Sequence, residues 1–222
     1  MTPMQQMLLG QGASKKTYIE DVFSTYVYKG TNTTNTITNG IDNSKGGLLW
    51  TKARTVGESH TLFDTERASN KAIYSNGTEG AETRNFNLSF LSDGFSWNTT
   101  DGMVNNVSHT YAAWNFRKAK GFFTCMTYTG NATNRGILHD LGSQPGMMII
   151  KKTSGSDPWY VWHKGLSNNT KTLSLDSSGG ESGNASIFNS TAPTATQFYL
   201  GTNGHSNENN HEYICYLFAD DA

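Results

Sequence analysis

The sequence predicts an all-β protein: two tandem antiparallel β-sandwich units, of jelly-roll or lectin-like type, arising from an internal duplication and preceded by a short N-terminal segment. Three observations predict it. The apolar runs are short and bounded by turn residues, and they recur at the spacing of strands in a sandwich. Gly, Asn, Ser and Thr crowd the stretches between them, where they supply turns and positive φ. The two halves also repeat the same phrases in the same order: HTYAAWNF (109–116) returns as HEYICYLF (211–218).

Residues 1–20 lie outside the repetition. Thr2 and Pro3 suit the start of a brief helix through QQMLL. Its Met and Leu side chains suit packing on the sandwich or on another chain, so the segment is read as an attachment segment. The first unit covers 21–119 and the second 120–222. YKGTNTT (28–34) matches YTGNATN (128–134), LLWTK (48–52) matches MIIKK (148–152), and NKAIYSN (70–76) matches TKTLSLD (170–176). FSWNTTDG (95–102) then matches FYLGTNG (198–204), so the offset drifts only from about 99 to 103, as tandem duplication with loop slips predicts. In the second unit the strand runs are FFTCMTY, MMIIKK, WYVWHK, TLSL, QFYL and YICYLF. In the last of these Ile214, Tyr216 and Phe218 share one face and Tyr213, Cys215 and Leu217 the other. Both faces are apolar, which predicts burial on both sides, by closure of the unit or by packing on its twin. RKAKG (117–121) is the connector, and His109 and His211, where a loop enters the strand, are read as structural.

Composition excludes several classes of function. Hydrophobic residues make up 35% and charged residues 16%, and the net charge is −1 without a basic stripe, which argues against a nucleic-acid partner. No run approaches the roughly 20 apolar residues of a membrane span, and MTPMQQMLLGQGASKK lacks the pattern of a secretory signal; the chain is expected to be soluble, made in a cytoplasm and not inserted in a membrane. Cys125 and Cys215 sit in apolar runs and read as buried reduced thiols. The six His residues show no metal-ligand spacing, the Asn- and Asp-rich loops read as turns, and neither metal nor cofactor is expected.

With YTGN, HDLGSQPGMMIIKK (139–152), WYVWHKGL (159–166), NSTAPTATQF (189–198), EYICYLFAD (212–220) and KKTYIEDVFSTYVYKG (15–30) in view, the sequence resembles repeats of tail-fibre and other virion-associated proteins of bacteriophages, especially of marine and cyanobacterial phages. The resemblance covers nearly the whole chain and carries no catalytic motif. It implies a lectin-like sandwich in a virion structural protein, a tail-fibre or tail-associated adhesin touching host surface polysaccharide. It also implies other virion proteins as partners through the N-terminal segment, and a homo-oligomer, with a trimer as the family-based expectation. A purely structural virion component is the alternative, and a polysaccharide depolymerase the second alternative.

A sugar-binding surface needs flat aromatics for C–H faces and polar groups for hydroxyls. Trp97, beside NTTDG, and Trp159, after SGSDP, lie near strand ends where loops cluster and are the candidate platforms, with Asp64 and His163 as polar companions. Trp50, Trp114 and Trp162 sit inside apolar runs and read as core. In FDTER (63–67), Asp64 and Glu66 resemble the alternating carboxylates of sandwich-fold glycoside hydrolases, but RASN follows where a further acid is wanted, and Arg67 offers Glu66 an ion-pair partner. The expectation is a non-enzymatic protein.

Overall fold

The computed structural model describes residues 17–220, so the proposed N-terminal helix lies outside the described residues. The first half runs α1 (Ile19–Val22), β1 (Phe23–Lys29), β2 (Thr34–Thr38), a 3-10 turn at Asn43–Lys45, β3 (Gly47–Ala53), β4 (Thr61–Asp64), β5 (Lys71–Tyr74), β6 (Glu82–Thr83), β7 (Ser89–Leu91), β8 (Gly94–Asn98) and β9 (Thr110–Arg117). The second runs β10 (Phe123–Thr129), β11 (Arg135–Leu138), β12 (Pro145–Lys152), β13 (Tyr160–His163), β14 (Lys171–Ser174), β15 (Ser182–Gly183), β16 (Gln197–Leu200), α2 (Gly204–Asn207) and β17 (Glu212–Ala219). The fold is all-β and antiparallel, as the sequence predicts.

Each half contributes one six-stranded sheet, ordered β1-β9-β3-β4-β5-β6 in the first and β10-β17-β12-β13-β14-β15 in the second. The strand order is the same. A smaller sheet, β2-β8-β7 or β11-β16, lies over one face of each. Between small and large sheets sit two cores, one around Phe63, Phe86, Trp97 and Tyr111, the other around Met148, Trp162, Phe198 and Tyr213. A third core joins the halves: Leu48, Leu62 and Ile73 of the first large sheet pack on Phe123, Cys125, Ile149, Val161, Ile214 and Tyr216 of the second. The sheets therefore stack small, large, large, small.

This third core explains why β17 is apolar on both faces. Tyr213, Cys215 and Leu217 point into the second half, while Ile214, Tyr216 and Phe218 point into the seam between halves. Both options left open by the sequence are realised together. Cys125 and Cys215 are free, buried thiols on opposite faces of their sheet, and burial raises the pKa of each.

Equivalent bonds close the two halves. Tyr28 stacks on Tyr111 at 5.0 Å, and Tyr128 on Tyr213 at 5.0 Å. The Tyr28 hydroxyl donates to the Val104 carbonyl at 2.9 Å, and that of Tyr128 to the Ser206 carbonyl at 2.7 Å. Asn105 accepts from the Thr31 amide and donates to the Thr33 and Thr99 carbonyls; Asn207 does the same with Asn131, Thr133 and Gly201. His109 and His211 do serve a loop, their Nδ1 atoms lying 3.4 and 3.0 Å from the hydroxyls of Thr55 and Ser154, which accept from the next strand's amides. Buried backbone groups are thereby satisfied at matching places.

One pairing of phrases needs correction. Leu48 faces Phe116 across its ladder, and the residue facing the matching Phe218 is Met147, not Met148. The alignment of LLWTK with MIIKK was therefore one residue out, and a bulge between Pro145 and Met147 absorbs the difference. A shift of one residue in a strand exchanges its two faces. Trp50 is thus the counterpart of Ile149, a seam residue.

Candidate functional site: an open edge of the seam

The expected sugar-binding set does not assemble. Trp97 is 0% exposed in the first core, edge-on to Phe63 and Phe95. Trp159 is likewise 0% exposed, in the seam, where its indole N–H donates to the carbonyls of Tyr74 at 2.9 Å and Gly77 at 3.1 Å. Neither ring can meet a glycan. Closeness to loop residues in sequence is a poor guide here because Trp97 points between the two sheets of its half and Trp159 is covered by Tyr74 and Gly77 of the other half.

Asp64 is also removed from the surface, at 1% exposure. Its Oδ2 accepts from Arg67 Nε at 2.7 Å and from the Tyr216 hydroxyl at 2.7 Å, and its Oδ1 from the amides of Glu66 and Arg67. Burial lowers the Arg67 pKa, but Asp64 and Tyr216 outweigh it and the net shift is upward; burial and then Asp64 drive Tyr216 well up. The carboxylate is spent on a polar clamp between halves. Glu66 pairs instead with Lys118 at 3.0 Å, so the expected Arg67–Glu66 pair is replaced by Arg67–Asp64. His163, the fourth candidate, is exposed and accepts from the Gly165 amide at 3.0 Å, stabilising a turn.

The matched registers point elsewhere. Trp50, Trp114, His60 and Thr25 correspond to Ile149, Tyr216, Trp159 and Cys125. In the second half all four are buried in the seam. In the first half Trp50, Trp114 and His60 are half-buried and Thr25 is exposed. One large sheet covers the other less completely here, and this edge carries two partly buried tryptophans, of which Trp50 also packs against the seam core.

The rings are ordered. Trp50 lies 6.3 Å from Trp114 at 73° and 6.1 Å from His60 at 79°, near edge-to-face packing in both cases. The Trp50 indole N–H donates to His60 Nδ1 at 3.2 Å. An acceptor Nδ1 requires a neutral ring with its proton on Nε2. Burial, with Lys52 adding to it, lowers the His60 pKa and so favours that neutral form. The His60 amide donates to Asn76 Oδ1 at 2.9 Å, just as that of Trp159 donates to Asp176 Oδ1 at 3.0 Å. Trp50, His60, Ser75 and Asn76 face Leu175, Asp176, Ser177 and Ser178 of the second half across a cleft of about 420 Å³.

Sequence reasoning had assigned Trp50 and Trp114 to the core. The signal that could have found them is alternation: Lys52 shares a face with Trp50 and pairs across with Ala112, so that face turns wet along the strand. Among the described residues no group of His, Cys, Asp and Glu could hold a metal ion, and no helix is long and apolar enough to cross a membrane.

Residues 19–222 match DUF7483, a domain of unknown function. The chain belongs to the DUF7483 family. The match runs through both halves, with the seam and its open edge inside it. No curated protein and no solved structure matches the chain.

Proposed function

We propose that this chain is a non-enzymatic virion protein of a phage, acting in the tail fibre or its surroundings as an adhesin for surface polysaccharide, with the open edge of the seam as its contact face. One observation carries the binding reading: Trp50 and Trp114 keep part of their surface exposed where the matching positions of the second half are core. Two ordered indoles provide stacking surface for sugar C–H faces, and the Nε2–H of a neutral His60 with the amide and carboxylate of Asn76 and Asp176 provides donors and acceptors for hydroxyls. The virion setting rests on the resemblance of the sequence phrases to phage fibre repeats.

Repeated weak contacts across a homo-oligomer would multiply such an affinity. The depolymerase alternative loses its acid, since Asp64 lies beneath the surface and is bound to Arg67 and Tyr216. The purely structural alternative differs only in what sits on Trp50 and Trp114, another virion protein in place of a glycan.

The test is binding of bacterial surface polysaccharides to the full chain, compared with Trp50→Ala and Trp114→Ala variants whose folding is checked by circular dichroism. The expected result is saturable binding that falls about tenfold or more in each variant, corresponding to about 1.4 kcal/mol. Equal binding by the variants, or none by the parent, overturns the reading. Immunoelectron microscopy of particles should label the tail; label on the head would favour the structural alternative.

A further inference from the structure

The charge and glycine of RKAKG suit a short exposed connector, and Lys120 and Gly121 are exposed. Arg117, Lys118 and Lys120 also line one cleft of about 490 Å³, together with Lys45 from the 3-10 turn, Thr17, Phe123, Thr124 and Asp140. Four of the chain's 17 lysines and arginines thus gather at one place in a protein of net charge −1, too local a concentration to follow from composition.

The charges do not cancel within the cleft. Asp140 is the acid among its lining residues, and it accepts from the Thr124 hydroxyl at 2.6 Å. Lys118 has its own partner outside the lining, Glu66 at 3.0 Å. That leaves Lys45, Arg117 and Lys120 with two carboxylates, Asp140 in the lining and Asp42 beside Lys45 and Arg117 at the rim. Asp42 has a lowered pKa, first through the Ser44 hydroxyl and further through Lys45 and Arg117, and three cations still outnumber the two acids.

Two of the cations are laid in place by backbone. Gly46 has φ +85, and a Cβ there would come within 2.7 Å of the Lys118 Cδ. Gly142 has φ +75, and a Cβ there would lie 3.3 Å from the Lys120 Cβ and Cγ. Glycine is the residue that tolerates both the positive φ and the close approach. The stems of Lys118 and Lys120 rest on two bare turns, one from each half.

We propose that this junction cleft is an oxyanion site, taking a phosphate, sulfate or carboxylate group through Lys45, Arg117 and Lys120. Arg117 supplies a planar guanidinium and the lysines supply mobile point charges, a combination suited to an anion of several oxygens. Such a group could come from inorganic phosphate or sulfate, or from a uronic acid of a polysaccharide. The site stands apart from Trp50, Trp114 and His60 and uses none of them.

Calorimetric titration of the full chain at low ionic strength with inorganic phosphate, sulfate and glucuronate tests it, using the parent, the Lys45→Gln/Lys120→Gln double variant and Trp50→Ala. The expected result is one saturable site for at least one of the three anions, weakened about fivefold or more in the double variant and by added salt, and unchanged in Trp50→Ala. Which anion binds identifies the source. Lys45 and Lys120 are exposed, so the double variant should keep the parent's thermal unfolding, which is measured alongside. No saturable binding of any of the three, or equal binding by the double variant, overturns the proposal and leaves the glycan-contact reading untouched.

Discussion

His60 and Trp159 hold the same place in the two halves, each one residue before its strand and each with its amide bonded to the next turn's Asn76 or Asp176. Trp159 closes its side of the seam, reaching Tyr74 and Gly77 and stacking on Tyr216 at 6.5 Å. His60 leaves its side open: Trp50 lines a cleft and Trp114 beside it is only partly buried. The same backbone thus makes a core on one side and a cleft on the other. The difference teaches that in this fold a binding face arises by leaving the seam unfinished, with no added loop or domain.

The comparison can be broken hardest at the closed side. Trp159→Ala should cost about 3–5 kcal/mol through the cavity alone, with two carbonyls also losing their donor. Chemical denaturation should show a single transition for both halves, because the seam core is shared; two separated transitions would mean that the halves fold independently.

Tyr216→Phe should cost about 1–3 kcal/mol, since the buried Asp64–Arg67 pair loses one hydrogen bond and nothing replaces it. Denaturation midpoints measure this directly. The open side should respond in the opposite manner: Trp114→Ala should cost less than about 2 kcal/mol, below the value for a fully buried large side chain, while glycan binding falls. A loss equal to that of Trp159→Ala would place Trp114 in the core and remove the contrast.

The smallest effect is with pH. The folded pKa of His60 is lowered, so the unfolded chain takes up a proton first as pH falls through about 6.5. The contribution of neutral His60 to stability is therefore full above that pH and declines below it. Protonated Nδ1 also loses the Trp50 hydrogen bond, so glycan binding should weaken only at lower pH, as the folded ring itself protonates. An NMR titration of the ring follows both; a His60 pKa above the ordinary value would reverse the sign.

Much of the fold was legible because strands of a sandwich announce themselves locally, by short apolar runs and by turn residues between them. The two apolar faces of HEYICYLF were legible for the same reason. The site was not. Trp97 and Trp159 stood next to polar residues in the chain, and Trp50 and Trp114 stood among apolar ones, yet exposure followed the reverse order. A residue's neighbours in sequence report its strand, whereas its exposure depends on how far one sheet overlaps another. The bulge between Pro145 and Met147 shifts the register by one residue, so the match of Trp50 with Ile149 is visible only in the paired strands.

By itself the sequence determined an antiparallel all-β chain with matching phrases in its halves, because hydrophobic alternation and turn chemistry act over a few residues. Only the tertiary structure decided that the large sheets share a core, that Asp64 is clamped to Arg67 and Tyr216, and that one edge of the seam stays open. Those outcomes depend on the offset between two packed sheets. That offset is set by side chains far apart in the chain, and local pattern does not encode it.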